Sequence, residues 1–351
     1  MMNFRKGSVE GKQVCYLLLI VFGLNSCGEQ IQAQPKQGEV LKIASDAKKV
    51  IPTPAEKKEE LVIFDMMPVD GNEEIGFISL SDIHPVSEHL DSLAIPDISE
   101  KPIDSVRYFK LNKEYRKRFL TATGISETDK VFMFDYSTNA LVSLPVKKLN
   151  VVANLNIYSS DEDAPFSQFD YMFGFEVSRK DLKGFDSEYF GDVLVSVGKE
   201  NPFERGKLKP IVWRKTDKKQ FPLAKMSKEG IKRSSQFTVA NTYTFTKDSL
   251  QYYVQELSKE ESSPARRLLV LNTKTDKVVF ERVYEESEGV GLAPLNHKDK
   301  EYDFVNQWTG QLFKDRAPVI FGFQYFSFGC PEISFMDRKL KDIYLNCDNR
   351  H

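Results

Sequence analysis

The sequence predicts a mainly β protein, made of antiparallel meanders and hairpins that form one large or two smaller β-sandwich-like domains, with one or two short helices near the start of the folded region. Three observations carry this. The chain has 26 phenylalanines in 351 residues, and its aromatic and β-branched residues fall in short runs that suit a pleated, packed surface. Short polar connections rich in Asp, Asn, Ser and Thr separate those runs, as in hairpins and meanders. Helix signals are few, and the clearest is confined to one stretch after Asn112. With 41% hydrophobic residues the chain can build real cores.

The first stretch decides the compartment. Arg5, Lys6 and Lys12 precede an apolar run from Val14 to Leu24, the charged and apolar regions of a secretory signal. A spanning helix needs about 20 apolar residues, so this run is too short for one. Leu24-Asn25-Ser26-Cys27 resembles the lipobox of bacterial lipoproteins: an aliphatic residue, two tolerant positions of which the second is small, then cysteine. The resemblance covers the first 27 residues only. It implies that residues 1–26 are removed and that Cys27 becomes the lipid attachment site, with a diacylglycerol on its thiol and a further acyl group, such as palmitate, on its new amine. Acyl chains contribute about 0.8 kcal/mol per buried methylene, enough to hold the mature chain on a membrane. The alternatives are an ordinary cleaved signal with a free Cys27 thiol, or a buried N-terminal helix.

Residues 27–60 read as the acylated N-terminus and a flexible tether. Pro35, Pro52 and Pro54 interrupt them, apolar residues are sparse, and Glu56 to Glu60 is fully charged. A chain of that length reaches about 30 Å. A short helix through Val40 to Val50 is the rival.

Folded sequence begins at Leu61 to Phe64, a strand candidate, and continues at Ile75 to Leu80 after the turn Asp70-Gly71-Asn72. Pro85, Pro96 and Pro102 leave room for a short helix near Ser87 to Leu93. Asn112 is placed to cap a helix through Tyr115, Phe119 and Leu120 that Gly124 stops. Val131 to Tyr136 and Leu141 to Val146 form a hairpin around Ser137-Thr138-Asn139. Further strands are expected at Val151 to Tyr158, Tyr171 to Val177, Val193 to Val197, Lys209 to Arg214, Phe237 to Phe245, Leu250 to Leu257, Arg267 to Leu271 and Val278 to Tyr284. An aromatic strand follows at Val319 to Phe328, then a hairpin from Ile333 to Leu345. The halves divide at 61–205 and 206–351. A faint echo links them: Asp135 to Val142 aligns with Asn272 to Val279, and Phe-Gly-Phe follows at Phe173 to Phe175 and at Phe321 to Phe323 with a different offset. Duplication and common hairpin chemistry both explain it.

Cys15 leaves with the signal and Cys27 is the lipid site, so Cys330 and Cys347 remain, and an exported pair of this kind is expected to be oxidised. With Arg338 and Lys339 at a two-residue tip, the two cysteines face each other across the terminal hairpin. A reactive pair is the alternative, without a Cys-x-x-Cys motif to favour it.

Chemistry is sparse. The chain has no Gly-x-Ser-x-Gly, His-Glu-x-x-His, phosphate loop or dinucleotide fingerprint. Glu288 to Gly291 is a turn. Asp82, His84, Glu88 and His89 have metal-ligand composition, but their spacing and Pro85 keep the histidines off one helical face. Asp161-Glu162-Asp163 has calcium-type donors without the ligand series of a calcium-binding hand. Trp213, Trp308 and Phe321 to Phe328 could form a saccharide or peptide platform, or a core; alternation puts Phe321, Phe323 and Tyr325 on one face and Phe326 and Phe328 on the other.

No cofactor or catalytic residue is expected. The 49 basic and 51 acidic side chains, less Arg5, Lys6, Lys12 and Glu10, leave a slightly acidic mature chain, which argues against nucleic acid. The expected partners are a membrane, through the lipid anchor, and a protein or saccharide ligand. The function expected is a lipid-anchored cell-envelope lipoprotein, extracytoplasmic with the outer membrane favoured, that binds or builds rather than catalyses. The alternative is an anchored hydrolase with a carboxylate or metal site, marked by a concave pocket where acidic residues or His84 and His89 converge.

Overall fold

The computed structural model describes residues 61–186, 190–259, 262–297 and 305–348. Cys27 and the tether lie outside them. The described residues belong to one compact unit, and the protein is mainly β, with its strands paired antiparallel. No helix among them is long and apolar enough to cross a membrane.

Four sheets share their cores in series. The first has five strands in the order Met67–Val69, Asn72–Ser79, Tyr171–Ser178, Asn150–Leu155 and Tyr108–Lys110; the second has Ala140–Pro145, Lys130–Asp135 and Val193–Gly198. The third runs Ile343–Tyr344, Glu332–Phe335, Val319–Phe321, Trp308–Gly310 and Leu208–Pro210; the fourth is Arg214–Thr216, Thr238–Lys247, Leu250–Lys259, Ser262–Asn272 and Lys277–Glu285. Because side chains alternate along a strand, one strand feeds two cores. Val131 and Met133 pack with Phe173 and Phe175 of the first sheet, whereas Phe132 and Phe134 pack with Val319 and Phe335 of the third. Ile320 turns the other way and joins Val254, Leu268 and Val270 of the fourth sheet. Burial on both faces is why Val131 to Phe134 reads as an unbroken apolar run.

The helix Lys113–Thr123 forms where its caps predict. Asn112 Oδ1 accepts from the amides of Glu114 and Tyr115, and Gly124 adopts the left-handed conformation at φ 69°. The helix packs Phe119 and Leu120 into the first core. The expected Ser87 to Leu93 helix shortens to the 3₁₀ turn Leu90–Ser92, and a further helix, Lys228–Ser234, is capped by the Ser227 hydroxyl.

Several strands differ from expectation. Lys209 to Arg214 divides: Leu208–Pro210 pairs in the third sheet and Arg214–Thr216 in the fourth, with Ile211 and Trp213 buried at the crossing. The aromatic run also divides, into Val319–Phe321 and Gln324–Phe326, at Gly322. Gly322 has φ 84°, and a Cβ there would lie 1.8 Å from the Asn306 carbonyl oxygen. This break overturns the simple alternation, since Phe321 packs in the second core and Phe323 in the third. Of Leu61 to Phe64, Phe64 alone forms bridges, antiparallel to Val195 and parallel to Asn346.

The internal echo is turn chemistry. Asp135 Oδ1 accepts from the amides of Ser137 and Thr138, and Asn272 Oδ1 from those of Lys274 and Thr275; Asn139 and Asp276 then take positive φ. The Phe-Gly-Phe pairs do not correspond. Gly174 lies inside a strand opposite Ser79, and Gly322 lies at a break.

Candidate functional site

A cavity of about 470 Å³ opens where pieces from all over the fold meet: Asp65 and Met66, Phe190 to Leu194, Arg282 and Tyr284, Ile320 to Phe326, and Pro331 to Ser334. Its walls are largely aromatic. Tyr284 stacks on Phe323 at 4.9 Å between centroids and 7° between planes. Tyr136 sets its edge against Trp308 and Phe321 at 5.2 and 5.4 Å. These contacts fix the rings before any ligand arrives.

The polar wall is mostly occupied. Arg282 donates to Glu332, to Ser334 Oγ at 2.8 Å and to Asp342 at 2.6 Å. Burial works against its charge, but Tyr284, Glu332 and Asp342 outweigh it and hold the guanidinium above its ordinary pKa. Burial pushes Glu332 up, against the pull of Arg282. Asp192 is also raised, by burial and by Asp135, although the Tyr136 and Ser137 side chains donate to it. Asn306 Nδ2 donates to the Pro294 carbonyl, its Oδ1 accepts from the Tyr325 hydroxyl, and Gln324 Nε2 donates to the Glu285 carbonyl. Asp65 differs. Its Oδ1 is sealed from solvent without a hydrogen-bond partner, and burial, with Asp82 and Asp348 nearby, pushes its pKa up to about 6.

The residues singled out from sequence are distributed otherwise. Cys330 and Cys347 form a disulfide with Cα atoms 5.7 Å apart, a bond kept in oxidising, extracytoplasmic spaces. The hairpin register is shifted by one from the expected one: Glu332 faces Tyr344 and Ile333 faces Ile343. The cysteines lie beyond the paired residues, past Pro331, which cannot donate to the ladder. Asp82, His84, Glu88 and His89 do not converge. His84 is buried with its ring edge-on to Phe119 and Phe173 at 5.0 and 5.1 Å, while Asp82, Glu88 and His89 are exposed. His89 Nδ1 instead accepts from the Asp91 amide. Among the described residues no group of three such side chains could hold a metal ion. Asp161 pairs with Arg107, and Asp163 accepts from Ser160, so this acidic turn is held by its own neighbours. Trp213 and Trp308 are core residues; Phe321, Phe323, Tyr325 and Phe326 line the cavity.

Asp65, Asp192, Arg282, Tyr284 and Glu332 are therefore functional candidates that sequence reasoning passed over. One signal was available for Asp65, the lone acid in the apolar run from Leu61 to Met67.

Two buried groups tie stability to pH with opposite signs. Burial lowers the pKa of His84 to about 4 from 6.5. Between those values the unfolded chain binds a proton that the fold refuses, so this contribution is complete above about 6.5 and is lost as pH falls. Asp65, raised from 3.8 to about 6, binds its proton more tightly in the fold; its contribution is complete below 3.8 and is lost as pH rises through about 6. The slopes oppose each other over most of one window. Urea midpoints of Asp65→Asn measured from pH 7 to pH 4 should therefore fall by an amount on the order of 2 to 3 kcal/mol attributable to His84. His84→Leu should gain stability across the same range. Identical pH profiles for the two variants would exclude this pairing.

No protein-family model, curated protein or solved structure matches the chain.

Proposed function

We propose that this chain is a lipid-anchored cell-envelope lipoprotein whose β body binds a ligand without transforming it, with the outer membrane as the favoured site. The observation that carries the binding role is the cavity, whose aromatic walls are fixed by ring–ring contacts and whose polar groups, Asp65 apart, are largely held by hydrogen bonds within the fold. Such a site is concave, mostly apolar and preformed, as ligand sites are. The lipobox-like Leu24 to Cys27 supports the anchor, and the Cys330–Cys347 bridge supports an oxidising compartment.

Asp65 favours a second reading. A carboxyl with its pKa raised to about 6 suits general acid–base work in an anchored hydrolase. Hydrolysis by a carboxylate pair also needs a partner, and the other lining carboxyls are engaged: Glu332 by Arg282, Asp192 by Tyr136 and Ser137. Binding is therefore the preferred reading. Turnover of chromogenic esters or glycosides that disappears in Asp65→Asn would replace it with the hydrolase.

The anchor has its own test. Intact mass of membrane-extracted protein should show loss of residues 1–26 and a gain of lipid, and Cys27→Ala should release the protein or stall its processing. Unchanged processing and membrane retention in that variant would refute the anchor.

A further inference from the structure

We propose that the cavity recognises an organic cation, an ammonium or guanidinium group carried on an apolar body. This rests on the cavity being a binding site and assigns the chemistry of its ligand. Charge is the first argument. The described lining residues include the carboxyls of Asp65, Asp192 and Glu332 against the single guanidinium of Arg282, and Arg282 is already shared with Asp342, outside the lining. The interior therefore carries excess acid in a place shielded from water, where an added positive charge is attracted more strongly than in solution.

Hydrogen-bond capacity gives the second argument. A neutral polyol or an anion needs donors, and the side chains that could supply them already donate within the fold: Arg282 to Glu332, Ser334 and Asp342, Asn306 to Pro294, Gln324 to Glu285, and the Tyr325 hydroxyl to Asn306. Among the described lining residues, Asp65 holds a sealed polar atom left without a partner, Oδ1, an acceptor. Turned toward the cavity, this carboxyl is complemented by a ligand N–H, and a charged one gives the stronger hydrogen bond.

The third argument is the π surface. Tyr136, Tyr284, Phe321, Phe323, Tyr325 and Phe326 line the same space. Tyr284 is stacked on Phe323 and already has the Arg282 guanidinium over its ring at 5.7 Å, so a cation is held against this wall in the fold itself; the remaining rings attract a ligand cation and accommodate the apolar body attached to it. An anion would meet the aromatic faces and the lining carboxyls unfavourably.

Calorimetric titration of the full-length, detergent-extracted protein separates the possibilities. Three probes of one shape are compared: phenethylamine, 2-phenylethanol and phenylacetate. Phenethylamine should bind at least about tenfold more tightly than either of the others, and Asp65→Asn should reduce its affinity by about tenfold or more. A capped peptide containing Phe-Lys, beside the same peptide with acetyl-lysine, distinguishes the source: binding of the lysine form alone indicates a protein side chain, and binding of phenethylamine alone a free amine. Either supports the cation. If 2-phenylethanol or phenylacetate binds as well as phenethylamine, and filling the cavity at the lining residue Ala293 by Ala293→Trp abolishes that binding, the cavity is a ligand site and the cation assignment fails. If none of the probes or peptides binds, the cation assignment fails and the binding reading loses its support. Unchanged phenethylamine affinity in Asp65→Asn also overturns the proposal.

Discussion

Gly322→Ala should destabilise the protein by about 3 to 5 kcal/mol, combining a left-handed backbone that alanine disfavours with a backbone overlap that no rotamer relieves. The added Cβ would lie 1.8 Å from the Asn306 carbonyl oxygen and 2.7 Å from its carbon. Neither is the tip of a flexible side chain, so the strand or the Asn306 segment must move. Gln307 Nε2 donates to the Gly322 carbonyl at 2.9 Å and to the Pro294 carbonyl at 2.8 Å, so that movement would also strain a buried polar network. Gly291 is the control: a Cβ there meets nothing within 4 Å, and, with the expected turn confined to Glu288 and Gly289, it lies in the strand Val290–Leu292, opposite Tyr325. Gly291→Ala should stay within about 1 kcal/mol of the parent, as a glycine-to-alanine change without strain does. Urea unfolding of both variants decides it, and equal midpoints would show that the break at Gly322 is soft.

Replacing Cys330 and Cys347 together by serine should lower stability by about 2 to 4 kcal/mol under oxidising conditions, with membrane attachment unchanged. The bridge spans a sequence separation of 17 residues, a loop for which chain entropy alone gives about 3 kcal/mol. It also backs a thin part of the sheet, because the pairing it closes joins Glu332–Phe335 to the two-residue strand Ile343–Tyr344. Peptide mapping without reductant should recover the two cysteines as one linked fragment. Free thiols at both positions, or a double variant as stable as the parent, would count against a structural role.

What was legible in the sequence was local. Hairpins, the capped helix and the β class follow from turn residues and alternation within a few neighbours, and the Asn112 cap needed only its own side chain and the next two or three amides. The stacking order of the sheets was not legible, because Val131 to Phe134 announces burial on both faces without naming what covers either. The two broken strands failed for a related reason: Lys209 to Arg214 and Val319 to Phe328 look continuous, and the crossing or break is imposed by distant partners. The cavity was harder still. Asp65, Asp192, Arg282, Tyr284 and Glu332 come from separate parts of the chain, and none of these parts carries a spacing that points to the others. His84 and His89 were the reverse case, near in sequence but separated by burial: one ring packs on phenylalanines, and the other caps a surface turn.

Phe64 is held from both sides, exchanging amide and carbonyl bonds of 2.8 Å with Val195, while Asn346 donates to the Ile63 carbonyl from its amide at 2.7 Å and from its side chain at 3.0 Å. A segment clasped in this way meets a lengthwise tug in shear, with its bonds resisting together, whereas a strand at an open edge peels one bond at a time. One of its two neighbours is Asn346, from the far end of the described residues. Cys347, directly after Asn346, is bonded to Cys330 and holds that neighbour in place. A load taken up at Ile63 and Phe64 is thus shared through a short clamp with a covalent link, so Asn346 cannot part from Ile63 without carrying Cys347 and, through it, Cys330 along.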